Sequence, residues 1–148
     1  MVFQTPILIT NFKCYQESTG ARAIELAKLH ERVANELGGN VAVVGMALDL
    51  PMLAMSVSIP VLSQHLDGVG WGAYTGLVPV EVARSVGIDG SILNHSERRI
   101  SDSDIERALE RMKALNMLSL VCAETLEEGA KFAAMGADFI AIEVPELI

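Results

Sequence analysis

Short apolar runs alternate with helix-patterned stretches along this chain, and that alternation leaves few architectures open. Pro6-Ile7-Leu8-Ile9-Thr10, Val41 to Met46, Ile59 to Ser63, Ser91 to Leu93, Leu118 to Cys122 and Phe139 to Ile142 each read as a short strand buried on both faces. Between them, Ala23, Leu26, Ala27, His30, Val33, Ala34 and Leu37 recur at three- and four-residue spacing, which predicts a helix from Ala21 to Leu37 stopped by Gly38-Gly39. Asp49 is expected to cap a short helix beginning at Leu50, with Pro51 tolerated in its first turn. Pro79 to Val86 reads as another short helix, closed by Gly87. Ser101 is placed to cap a helix whose apolar face is Ile105, Ala108, Leu109, Met112 and Leu115, and Thr125 with Glu128 has the capping-box spacing at the head of a helix ending near Gly136. Strand and helix in alternation, with no break in composition, predict βαβ units in a parallel sheet and a single domain over residues 1–148.

Composition narrows the partners. A chain of 148 residues with 51% hydrophobic residues can bury a sizeable core. Its formal net charge of −8 argues against a nucleic acid or an anionic membrane as partner, though not against a small anion held locally. Cys14 and Cys122 fit neither a metal spacing nor a disulfide framework and read as reduced, structural thiols. With no run long enough to span a membrane and no signal-peptide pattern, a soluble, cytoplasmic protein is expected. Gln64 to Val78, rich in glycine, is too long for an idle connector, and its Trp71 and Tyr74 predict a projecting loop that becomes partly buried, against another subunit for example.

Polar residues gather where the strands end: Asn11 and Lys13 after the first, Asn94, His95 and Glu97 after the fourth, Glu143 after the sixth. Parallel α/β folds place their chemistry at those carboxyl ends. A lysine supplies a fixed positive charge for an anionic substrate, a histidine polarises a carbonyl, and a carboxylate removes a proton from the neighbouring carbon. Together they suit enolisation of a phosphorylated sugar. His65 and His30 read as structural, the latter at the core boundary, and Arg98 and Arg99 as structural partners of nearby acids.

Four motifs carry a resemblance: Asn11-Phe12-Lys13, Gly72-Ala73-Tyr74-Thr75-Gly76, Asn94-His95-Ser96-Glu97-Arg98-Arg99 and Ile142-Glu143-Val144-Pro145-Glu146-Leu147-Ile148. In this order they resemble the triosephosphate isomerase family, particularly its compact archaeal form. The resemblance implies an α/β fold, a parallel (β/α)₈ TIM barrel, here an incomplete one of about six β/α units with strands 7 and 8 absent, since a closed barrel takes roughly 250 residues. It implies interconversion of dihydroxyacetone phosphate and glyceraldehyde 3-phosphate through an enediolate, in glycolysis and gluconeogenesis, with no cofactor and no metal. Residue by residue, it makes Lys13 the lysine that holds the substrate and Asn11 the asparagine that positions it. His95 becomes the neutral imidazole that donates to the carbonyl oxygens, at the amino end of a short helical turn opened by Ser96-Glu97-Arg98. Glu97 becomes a carboxylate near the lysine and Glu143 the base. Thr75 matches the loop residue that reaches a neighbouring subunit's site, so a homo-oligomer, dimer or tetramer, is implied. Val144 stands where the family has proline after the catalytic glutamate, which loosens that hinge.

The first and sixth strands of such a partial barrel are open edges, so residues 1–148 by themselves are expected to have no or very weak activity. Two alternatives stay open: a non-catalytic partial-barrel module that assembles through its strand edges, or another phosphosugar isomerase or epimerase.

Overall fold

A computed structural model describes residues 4–142. Six strands, β1 (Ile7–Asn11), β2 (Asn40–Gly45), β3 (Val61–Ser63), β4 (Gly90–Leu93), β5 (Leu118–Ala123) and β6 (Phe139–Ile142), lie in one sheet in chain order. Every neighbouring pair is parallel. Helices α1 (Ala21–Leu37), α2 (Leu50–Ser56), α3 (Val80–Ser85), α4 (Asp102–Ala114) and α5 (Leu126–Ala134) supply the crossovers. The expected alternation therefore forms the expected architecture, a partial (β/α)₈ barrel of six parallel strands.

Side chains alternate between two apolar layers, as period-two strands require. Val43, Leu93, Val121 and Ala123 face the helices and meet Leu53, Val80, Ile105, Met112 and Phe132 in the main core. Ala42, Val44, Leu62, Ile92 and Cys122 turn the other way and form a second cluster with Ile7, Ile9 and Phe139. On β1, by contrast, Leu8 is 61% exposed. Gly90 is required at the start of β4, because a Cβ there would collide with the carbonyl oxygen of Leu118 on β5.

The helix ends show where local signals decide and where tertiary contacts override them. The Ser101 hydroxyl accepts from the Asp104 amide, and Thr125 from the Glu128 amide, as the cap spacing predicts. The Glu128 carboxylate takes the Glu124 amide, one residue earlier than a reciprocal capping box would use. Asp49 stands at the N-cap of α2 without bonding it; its carboxylate accepts from the Gly20 amide at the head of α1, 3.0 Å away. That correction has a simple cause: Asp49 is buried, and the donor in reach belongs to a different helix. Along α1 the apolar stripe is wider than the buried face, for Ala23, Ala27 and Ala34 are buried while Leu37 is 80% exposed. His30 sits at the core boundary as expected, its ring bonded to the Leu26 carbonyl and the Thr10 hydroxyl.

The loop between β3 and α3 is fixed at its base and open at its tip. Leu66 is fully buried, the Asp67 amide donates to the Val78 carbonyl at 2.8 Å, and the Val78 amide donates to the Asp67 carboxylate at 2.6 Å. Arg111 of α4 clamps the same region, donating to the Gly68 carbonyl and to Glu81. Trp71, at the tip, is 70% exposed, and Tyr74 is exposed as well. The loop projects as its composition predicts, and within one chain its aromatics stay in solvent.

Candidate active site

Strand β1 ends in a backbone geometry that ordinary residues avoid. Lys13 has φ of 51°, in the left-handed region where a side chain costs about 1–2 kcal/mol. Two side chains hold it there. The Asn11 Oδ1 accepts the Lys13 amide at 3.0 Å, and Gln64, just after β3, donates from Nε2 to the Lys13 carbonyl at 2.8 Å. The result aims the lysine across the sheet's carboxyl end, where Nζ meets the Glu97 carboxylate at 2.9 Å. Its hydrogen bond and charge hold the Glu97 carboxyl below the usual carboxylate range. Both groups are partly exposed, so the pair orients Lys13 more than it stabilises the fold.

His95 follows β4 in a single turn, closed by the Arg98 amide donating to the His95 carbonyl at 2.7 Å, at the place where a short helical turn is expected from Ser96. Within this turn the Glu97 amide donates to His95 Nδ1 at 3.1 Å. An amide N–H can only donate, so Nδ1 carries its lone pair and the ring proton sits on Nε2. The nearest Glu97 carboxylate oxygen, 3.6 Å from Nδ1, is beyond hydrogen-bonding range and does not compete.

Asn11, Lys13, His95 and Glu97 border one cavity of about 370 Å³, together with Gln64, His65 and Arg98. The sequence did not single out Gln64 as a site residue; its only signal was its place directly after a strand. Arg99 behaves as expected, bonding Glu128 of α5 at 2.5 Å, whereas Arg98 borders the cavity. Asn94 lies beneath the site rather than in it, 2% exposed. Thr75 is exposed on the projecting loop and does not line the cavity. Glu143 falls outside the described residues, as does Val144. A larger cavity, bordered by Lys113, Asn116 and Phe139, opens at the opposite, amino-terminal ends of β5 and β6 and contains none of these groups. Among the described residues no three His, Cys, Asp or Glu side chains are grouped as a metal ion needs, and no helix is long and apolar enough to cross a membrane. Cys14 is exposed and Cys122 buried.

His65 joins the cavity wall to the loop. Its Nε2 lies 3.2 Å from the Asp67 carboxylate that also secures Val78. Burial pushes the imidazole below its ordinary value of 6.5, against the Asp67 hydrogen bond and with help from the Arg98 charge. The unfolded ring therefore binds its proton at higher pH than the folded one. Stability is expected to be complete above 6.5 and to fall as the pH drops from there toward the lower folded value. Glu97, Asp104 and Glu128, all held low, lose their contributions only at more acid pH, as each is protonated below its ordinary value of 4.5, 3.8 and 4.5 respectively. Urea midpoints at about pH 7.5 and about pH 5.5 should show this first loss in the parent chain and little of it in His65→Gln. Equal slopes in the two chains would contradict it.

The family model described as triosephosphate isomerase matches residues 6–142. The chain belongs to the triosephosphate isomerase family. Among its archaeal relatives, the triosephosphate isomerase of Methanothermobacter thermautotrophicus (strain Delta H) is 49% identical over 144 residues, covering 97% of this chain and 63% of that one. The triosephosphate isomerase of Methanothermus fervidus is 42% identical over 143 residues, covering 97% of this chain and 64% of its own. The chain thus spans a little under two thirds of the curated relatives' length. A crystal structure of triosephosphate isomerase from Bartonella henselae superposes with a TM-score of 0.75 at 19% identity, over 93% of this chain and 66% of that one, which establishes the shared barrel fold. Membership in the triosephosphate isomerase family agrees with the four sequence motifs from which it was expected.

Proposed function

We propose that the cavity at the carboxyl ends of β1 and β4 isomerises a triose phosphate. The observation that carries this reading is the Glu97 amide donating to His95 Nδ1, which leaves the ring proton to Nε2, in a residue that borders the same cavity as Lys13. Lys13 attracts the substrate's negative charge, with Asn11 shaping its approach. His95 donates from Nε2 to the carbonyl oxygen as negative charge develops on it. Glu143, next in the chain after β6, takes a proton from the carbon beside the carbonyl and returns it to the former carbonyl carbon. Between those steps the enediolate's oxygens exchange their proton through His95. No cofactor enters this scheme. Thr75 and the exposed Trp71 suit contact with a second copy, so a cytoplasmic homo-oligomer belongs to the same proposal.

A hybrid in which residues 1–148 continue into the remaining third of the Methanothermobacter relative tests it. The hybrid should interconvert dihydroxyacetone phosphate and glyceraldehyde 3-phosphate, while residues 1–148 alone should do so weakly at most. A folded hybrid that binds phosphate but leaves both trioses unchanged would sink the isomerase reading, and near-normal turnover by residues 1–148 alone would sink the need for further strands. The exposed Leu8 on β1 favours one other reading, a partial barrel that assembles through its edges. Size-defined oligomers with no turnover, even when the relative's remaining third is supplied, would support that instead.

A further inference from the structure

We infer that Asn94 is a positioning residue for His95, its side-chain amide fixing both ends of the turn that carries the imidazole. The ladder between β4 and β5 ends at the pair Leu93 and Val121. At the next residue the backbone leaves the sheet, with Asn94 in the left-handed region at φ of 60°, a conformation that asparagine tolerates better than most residues. The side chain nevertheless continues the ladder by one rung: Nδ2 donates to the Cys122 carbonyl at 3.1 Å. Its Oδ1 accepts the Ile100 amide at 3.0 Å, just ahead of the Ser101 cap of α4. A carbonyl only accepts and an amide N–H only donates, so the two partners leave one orientation for the Asn94 group.

One buried amide therefore pins the departure point of the turn at residue 94 and its return at residue 100. Between these pins lies the Glu97 amide that donates to His95 Nδ1. The span is too short to shift at one end without moving that donor. On the outer side Arg99 ties the same turn to Glu128, but this pair is partly exposed and holds less firmly. Asn94 acts through Glu97 on the ring; it does not border the cavity.

The catalytic consequence rests on the isomerase reading, but the geometry does not, and the test separates the two. Imidazole ¹⁵N spectra of the full chain should show His95 as the Nε2–H tautomer. Asn94→Gly keeps the left-handed backbone and deletes both hydrogen bonds; it should give a mixture of tautomers and speed hydrogen exchange at the Glu97 amide about tenfold or more. Asn94→Asp keeps an acceptor for Ile100 but sets a carboxylate against the Cys122 carbonyl, and should disturb the ring in the same direction. A variant with a lowered unfolding midpoint but an unchanged His95 nitrogen spectrum would reduce Asn94 to a fold-stabilising residue and overturn the inference. If neither variant folds, native-state exchange in the unaltered chain decides: the Glu97 and Ile100 amides should open together, and independent opening overturns the proposal. No substrate enters these measurements, so absence of turnover would count against the isomerase reading alone. In the active hybrid, Asn94→Gly should lower kcat more than it changes KM.

Discussion

Replacing His95 by asparagine should slow triose phosphate interconversion by about 10²- to 10⁴-fold, the range expected when one positioned proton donor is lost. The comparison belongs in the hybrid barrel, with both directions assayed. Asparagine retains a donor but is shorter than imidazole, so the Nε2 position is vacated and, on the proposed mechanism, the developing oxyanion loses its donor. Because that interaction strengthens only as charge builds on oxygen, the loss should fall on kcat, with KM altered far less. His95 lies in a turn at the sheet's carboxyl end rather than in the core, so the unfolding midpoint should change little. Turnover within about tenfold of the parent would remove His95 from its assigned role.

The second large effect is on stability. Gly90→Ala should destabilise the chain by about 4 kcal/mol or more, a sizeable part of the ~5–15 kcal/mol that holds a typical domain together. The new methyl group would run into the carbonyl oxygen and Cβ of Leu118, both anchored in β5. Relief requires β4 and β5 to part at the rung where Gly90 faces Leu118. A flexible side chain could move aside, but a strand backbone cannot do so without losing its hydrogen bonds. Gly39→Ala is the matched control: a Cβ there meets nothing within 4 Å, and its stability should stay within about 1 kcal/mol of the parent. A Gly90→Ala chain as stable as that control would refute the crowding argument.

What could be read in advance divides along a physical line. Strand and helix positions and the Ser101 and Thr125 caps depend on neighbours within a few residues, and period and cap chemistry disclose them. Asp49 could not be read so, since its acceptor role toward Gly20 is set by how α1 lies against α2. Gln64 was silent for the same reason: its amide reaches Lys13, 51 positions earlier in the chain, and nothing local marks that distance. The site at His95 was legible as a motif, yet the reason the imidazole keeps its Nε2 proton, a backbone amide two residues on, appears only in three dimensions. Leu37 erred in the other direction, because periodicity places a residue on a face but not against a neighbour.

The sheet order β1-β2-β3-β4-β5-β6 repeats the order of synthesis. In a doubly wound sheet of order 3-2-1-4-5-6, later strands must add on both sides of the first. Here each new strand docks on the one made just before it, and no strand waits for a later partner to slip between it and its predecessor. Among the described strands each closure spans one β/α unit, which keeps the loop entropy per step small. As it leaves the ribosome it can therefore assemble vectorially, with a single advancing edge at each stage.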